Sequence, residues 1–323
     1  MFPPSKVGLL QNFLPYYSPK YVLPKLFCIH SSFMSNLSSN KSDDAIHYCL
    51  NSVRQNDHEN FLATLLLPES CRTDVLAIRA FNIELAQIGV TTTREPLAGM
   101  MRLEFWRETL NNLYSDRAPP AQPVARQLHR AIKKHRLSKR WLRQLIDSRD
   151  ELIQKPGFNS IKELETYAEA SNSAIYYLTL QAAGVSSVDA DHCASHVGKS
   201  EGILRVLRGV PFLASKRQVM LPRQLLAQHG ISEEEVLRGC REQKLKEVVY
   251  DIASHSHQHI EHARELSHKL TRSARVALLP AVSVSAALQK LRLVDFDVFH
   301  PQWTSRSSSL PVKLWWAKLR QRL

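Results

Sequence analysis

The sequence predicts an all-α protein on three observations. Glycine supplies only 10 of 323 residues, against the roughly 7% of an ordinary soluble protein. Apolar side chains recur at three- and four-residue spacing along most of the chain, the period of a helix face. No stretch alternates apolar and polar residues as a half-buried strand does, and no repeat of fixed period is present. The length suits one domain with a sizeable core, and typical helix lengths divide it into roughly nine to eleven helices.

Residues 1–42 contain no Asp or Glu, carry Lys6, Lys20, Lys25 and Lys41, and are rich in serine. A basic, acid-free, serine-bearing leader has the composition of a mitochondrial transit segment, though without its usual arginines; a disordered tail is the alternative. Ser42, Asp43 and Asp44 then read as an N-cap with first-turn acids, opening a helix to about Arg54. Pro68-Glu69-Ser70 opens a second, whose dense apolar positions (Leu76, Ile78, Ala80, Phe81, Leu85, Ile88) predict burial on most sides. After a polar break at Thr91–Thr93, a helix near 95–114 is stopped by Ala118-Pro119-Pro120.

Helices near 122–135 and 138–154 follow, then Pro156-Gly157 breaks the chain. A long helix near 160–183 ends at Gly184, which suits a left-handed C′ position. The next runs from about Ala190 to Leu207, where Gly209-Val210-Pro211 is expected to interrupt it. Residues 212–222 read as irregular. Ser232 with Glu233, Glu234 and Glu235 marks another start, and Val249, Ile252, Ile260, Ala263 and Leu266 define an amphipathic helix to about 271. One more lies near 279–292. The organisation expected is a leader (1–42), a helical body (43–298) and a basic, Trp-containing tail (299–323).

Formal net charge is +13, which favours anionic partners. The five cysteines are scattered with no Cys-x-x-Cys pair, so neither a disulfide framework nor a cysteine zinc site is expected and a reducing compartment fits better. No apolar run is long enough to span a bilayer.

Several spaced motifs carry a resemblance over about residues 45–295. Gly202-Ile-Leu-Arg-Val-Leu-Arg-Gly-Val-Pro-Phe, continuing to Met220-Leu-Pro222, resembles the second signature of squalene and phytoene synthases. Arg79-Ala-Phe-Asn-Ile-Glu-Leu-Ala-Gln-Ile-Gly-Val90 stands where that family has its first Asp-rich motif. Met101-Arg-Leu-Glu-Phe-Trp-Arg107 and Tyr167-Ala-Glu-Ala-Ser-Asn-Ser-Ala174 are similar to two further family segments. The resemblance implies an isoprenoid-synthase-like helical bundle. The segments 79–87, 192–199, 249–254 and 294–301 look narrower still: they resemble the mitochondrial complex I assembly factor 6 family, a branch of that superfamily. That likeness implies a role in early complex I assembly, complex I subunits or intermediates as partners, and a place in the matrix or on the matrix face of the inner membrane.

The resemblance also defines what is missing. The synthases ionise an allylic diphosphate, whose charge Mg²⁺ neutralises through carboxylates on two facing helices. Ala86, Gln87 and Val90 occupy the first set of aspartate positions, and no Asp or Glu occurs from Gly202 to Ile231. Glu84 and Glu201 each remain alone nearby. Loss of the metal template removes several kcal/mol of leaving-group stabilisation, so the expectation is a non-catalytic binding protein with no cofactor and no metal. An enzyme of residual or altered isoprenoid or lipid activity is the alternative. Arg205 and Arg208, with Glu84, mark a candidate vestigial anion pocket; the plainer reading gives the arginines internal partners.

Other clusters carry less. His255, His259 and His262 have helical spacing compatible with Zn²⁺, but fall beside or opposite the buried face and read as solvated. Asp191, His192 and His196 form a weaker candidate. A basic run (Arg126, Arg130, Lys133, Lys134, Arg136, Lys139, Arg140, Arg143) contains no acid; it is a partner or phosphate surface or simply a solvated one. No RNA-binding signature accompanies it, so nucleic acid is not expected. Trp315 and Trp316 lie among cations in the tail, which suits a membrane interface or a terminal helix packed on the body.

Overall fold

The computed structural model describes residues 41–91, 95–115 and 120–323, without the side chains of 41–43 and 90. The expectations for the leader, for residues 92–94 and for Ala118-Pro119 therefore lie outside the described residues. Sixteen α-helices and one π-helical turn form the described structure, with no strand among its residues. The surplus over the expected number comes from segments of four to eight residues.

The chain begins with α1 (Lys41–Asn56) and α2 (His58–Leu65), followed by α3 (Glu69–Thr91) and α4 (Pro96–Leu113). Pro96 and Pro123 sit at helix starts, where a missing amide costs nothing. Next come α5 (Pro123–His135), α6 (Lys139–Gln154) and α7 (Ile161–Ala168), the last capped by the Ser160 hydroxyl. The π turn (Glu169–Ser173) joins α7 to α8 (Ala174–Ala182), so the expected 160–183 helix is continuous in direction but widened at its centre. Gly184 closes it at φ +70°, as its position predicts.

The longest helix, α9 (Val188–Ser215), starts under a Ser187 cap with Asp189 and Asp191 in its first turn. It passes straight through Pro211, correcting the expected break and making 212–215 helical. Proline removes one amide donor, here one turn before the helix end, and the end is resealed by Lys216 N–H to Leu213 O (2.9 Å) and Arg217 N–H to Ala214 O (2.9 Å). Then α10 (Arg223–Gln228) and α11 (Glu233–Leu237) precede α12 (Gln243–Ser267), and the Ser232–Glu235 capping box forms as read. The C-terminal part is α13 (Arg272–Ala277), α14 (Pro280–Leu293), α15 (Pro301–Thr304) and α16 (Leu310–Arg320).

Two helices organise the core. In α3, every residue from Asp74 to Ile83 is buried, against α1, α5 and α8. Each large apolar side chain there, such as Phe81, contributes roughly 1.5–3 kcal/mol by leaving water. On the other side, α9 packs on α12 and α14 and against the π turn. That crossing is close because of two glycines. A Cβ at Gly198 would fall 2.4 Å from Ser173 Cα, and one at Gly202 would fall 2.5 Å from Ala168 Cβ. Described cysteines are unpaired thiols, and no described helix is long and apolar enough to cross a membrane.

Candidate functional site

Two cavities flank α9, and one side chain belongs to both. The first, about 320 Å³, lies between α3, α6, α7 with its π turn, and α9. Ala86 and Gly89 face it from α3 and Gly202 and Val206 from α9, with Leu152, Ile153 and Phe158 adding apolar wall. No Asp or Glu is among its described lining residues. Its charged groups are Arg149 and Arg205. Arg149 is 9% exposed, donates to Asn82 Oδ1 at 3.0 Å and lies over the Tyr167 ring at 5.5 Å. Among the described residues no carboxylate pairs with it.

The second cavity, about 460 Å³, opens between the start of α2, the other face of α9, α14 and residues 304–306. Arg205 stands between the two. Its Nη2 contacts Glu201 Oε1 at 2.7 Å and Asp57 Oδ1 at 2.9 Å. Arg79 adds a longer contact to Asp57 (3.5 Å), Asn60 donates to Glu201 Oε1 (2.6 Å), and the Tyr176 hydroxyl donates to Glu201 Oε2. Burial alone would raise the Glu201 carboxyl; the charges of Arg205 and Arg79 outweigh it and hold it at about 2.

The predicted anion pocket is therefore divided. Arg205 and Arg208 do meet at the second cavity, where Arg208 pairs with Glu59 at 3.1 Å and lies over the Trp303 ring at 5.3 Å. Glu84 is not with them; it accepts a hydrogen bond from Tyr48 of α1 at 2.8 Å and lines neither cavity. Of the first-motif positions, Ala86 lines the first cavity, Gln87 is exposed, and the Val90 side chain lies outside the described residues.

The histidines differ from the solvated face expected of them. His255 and His259 both reach Glu165 Oε1 of α7 (3.1 and 3.3 Å), and His196 Nδ1 meets His259 Nδ1 at 2.9 Å. Only His257 and His262 of this run are exposed. Burial, then the neighbouring His259 and His262, pull His196 down to about 4. Asp191 and His192 stay exposed on α9. Among the described residues no group of three or more His, Cys, Asp or Glu is arranged to hold a metal.

The basic run is partly neutralised by an acid from another helix. Buried Asp74 of α3 takes Lys134 (2.6 Å), His135 (2.8 Å) and, more distantly, Arg130 (3.8 Å). Arg143 pairs with Asp147, Lys139 and Arg140 lie over Tyr114 and Trp141, and Lys133 and Arg136 are exposed. On α16, Leu310 and Leu314 are buried and Lys318 Nζ donates to Leu66 O at 2.9 Å, fixing the helix to the body. Its other side presents Val312, Trp315 (56% exposed), Trp316 (46%) and Leu319, and Arg320 covers Trp316 at 4.4 Å. A second exposed apolar stripe runs along α4 through Leu97, Met101 and Phe105, one helical turn apart.

Sequence reading missed Arg149, Asp57, His58 and Ser283 as cavity residues. The Asp57–Asn60 cluster beside a helix start was the available signal; the others are isolated in sequence.

A helical bundle with a cavity between two facing helices is the architecture of the squalene/phytoene synthase family, whose model matches residues 53–315. The fold is similar to a dehydrosqualene synthase (TM-score 0.76, 17% identity, covering 87% of this chain and 97% of that one) and to a squalene synthase from Alicyclobacillus acidocaldarius (TM-score 0.69, 15% identity, 80% and 97%). The chain belongs to this family. Within it, the chain belongs to the complex I assembly factor 6 branch. It is 42% identical over 300 residues to the Rattus norvegicus protein named NADH dehydrogenase (ubiquinone) complex I, assembly factor 6, covering 93% of this chain and 89% of that one. The Homo sapiens counterpart is 42% identical (83% and 80% covered), and the Drosophila melanogaster homologue 33% (88% and 87%).

Proposed function

We propose that this protein is a non-catalytic assembly factor for mitochondrial respiratory complex I, binding a subunit or intermediate at an early step on the matrix face of the inner membrane. The observation that carries the non-catalytic part is the first cavity. Ala86 and Val206 both line it, and its described wall offers two arginines and no carboxylate. Mg²⁺ requires several oxygen ligands, normally carboxylates beside the substrate phosphates. Without them the ionisation of an allylic diphosphate loses its main electrostatic support.

The binding part rests on the names of the relatives and on the surface. The α4 stripe and the outer side of α16 expose large apolar side chains on a folded body, a pattern of contact surfaces. Tryptophans beside Lys313 and Arg320 suit the lipid interface.

The test is depletion of the protein in cells, with complex I followed on native gels, and rescue by wild type. Loss of assembled complex I, restored by rescue, is expected; normal complex I after depletion overturns the reading. Purified protein incubated with labelled prenyl diphosphates and Mg²⁺ is expected to give no turnover, and metal-dependent product would favour the enzymatic alternative. Protein released from isolated membranes by carbonate or high salt, but not at low salt, fits peripheral attachment.

A further inference from the structure

We infer that the outer side of α16, with the cations of α13 and of the α2–α3 junction beside it, is a docking face for an anionic lipid surface, on which α16 lies flat. The face gives the peripheral attachment proposed above, on which the inference rests, its surface and its lipid chemistry. A helix packed on a folded body ordinarily turns its polar side to solvent. In α16 the order is reversed. Leu310 and Leu314 are buried against the body, while Val312, Trp315, Trp316 and Leu319, spaced as i, i+3, i+4 and i+7, are all exposed. Exposed Lys313 and Arg320 run along one flank of that stripe. The other flank is the crease against α13, lined by Arg272, Arg275, Lys318 and Arg322. An apolar stripe between two banks of cations is the arrangement of a helix lying in a bilayer interface, with tryptophan at headgroup level. At 11 residues, α16 is too short to cross.

Charge selects the occupant. Residues 271–277 and 298–323 contain no Asp or Glu, and residues 66–73 contain Glu69 alone. Three of the cations here are held by main-chain carbonyls, which fix a side chain without neutralising it. Lys318 Nζ donates to Leu66 O at 2.9 Å and Arg72 Nη2 to Leu67 O at 2.9 Å, so α16 and the start of α3 meet at one turn. Arg275 donates to Leu270 O at 2.6 Å and to Gln321 O at 3.1 Å. Burial, then the charges of Arg72 and Arg272, pull Lys318 below its ordinary value, as a locally positive field does. The basic run of α5 touches the same junction, where Lys134 donates to Ser70 O. Asp74 answers that charge, so the run borders the face without supplying it. An acidic protein matches the charge alone; a lipid surface matches the charge and, just beneath its headgroups, the apolar stripe.

The purified full-length protein is mixed with phosphatidylcholine vesicles carrying increasing fractions of phosphatidylglycerol, and binding is read by flotation. Binding is expected to rise with the anionic fraction and to fall with salt. Arg272→Gln and Arg322→Gln, at exposed positions, each weaken it about fivefold, while Met101→Ser on the α4 stripe leaves it unchanged. Brominated lipid quenches the tryptophan fluorescence of the wild type, and the double variant Trp315→Phe with Trp316→Phe loses that quenching. Equal binding to neutral and anionic vesicles, or binding that Arg272→Gln and Arg322→Gln do not weaken, overturns the inference. So does a protein that ignores vesicles but attaches to isolated mitochondrial membranes until these are stripped with protease, a result that assigns the face to an acidic protein. Each outcome is read without complex I, so its failure leaves the assembly role standing, and the depletion test decides that role alone.

Discussion

Arg205 and Glu201 lie one helical turn apart on α9 and meet at 2.7 Å with Asp57 of the α1–α2 junction as a third partner. The helix thus carries a half-buried charge pair whose neutrality depends on another part of the chain. Taking one member away strands the other. Glu201→Ala is expected to destabilise the protein by about 1.5–3 kcal/mol in urea unfolding, because Arg205, which solvent still reaches, and Arg79 then face Asp57 alone. The double variant Glu201→Leu with Arg205→Met keeps Asp57 opposite Arg79 and is expected to cost less than the sum of the singles. Additive losses would count against a coupled network.

Acid stability should fall in two stages. His196 is held from its ordinary 6.5 down to about 4, so below pH 6.5 the unfolded chain takes a proton that the folded one refuses, and stability declines until about pH 4. The groups around it are His259, His262, Lys199 and Glu169, with Glu165 and His255 beyond His259. Glu201, ordinarily at 4.5 and here at about 2, contributes stability above pH 4.5 that is lost as pH drops toward 2. Melting temperature against pH checks this: His196→Asn should make the upper stage shallower and leave the lower one, the remainder of the upper stage coming from His58, His129 and His259, which burial also lowers.

The α9 glycines should tolerate no side chain. Gly198→Ala sets a methyl group 2.4 Å from the Ser173 backbone, and Gly202→Ala meets Ala168 in the same crossing. We expect a loss of about 1–3 kcal/mol for each. Gly209→Ala, whose nearest contact is a leucine methyl at 3.5 Å, is the control and should be near neutral.

The outer face of α16 should govern lipid binding without governing stability. Trp315→Ser and Trp316→Ser remove exposed rings, so unfolding midpoints should barely move. Each is expected to weaken binding to anionic vesicles about tenfold in flotation or fluorescence titration. Unchanged binding would assign this face to a protein contact instead.

The helical series was legible because its signals are local. The Ser232–Glu235 capping box and Gly184 depend on residues within one turn, and both form as read. The failures have one physical origin, which is partners supplied from elsewhere in the chain. Asp74 neutralises cations about sixty positions away, and Glu165 gathers histidines about ninety positions on. Pro211 was misread in the opposite sense: the local rule holds, but a lost bond near a helix end is too cheap to stop α9. The π turn had one faint sign, the four-residue spacing of Gly198 and Gly202 opposite a Ser-Asn-Ser run. Of the site, Arg205 and Arg208 were visible by position, while His58 and Ser283 acquire meaning only when α2 and α14 are brought against α9.

The described wall of the first cavity, which carries no acid, bears on the molecule at rest. Two banks of aspartate opposed across a cleft repel each other whenever no cation sits between them, so a fold built that way leans on its ion for shape. Here α3 and α9 contribute Ala86 and Val206 to the described wall, and no such repulsion acts between these two positions. A chelator is therefore expected to leave the melting curve where it was, with the midpoint unmoved as the magnesium concentration is varied.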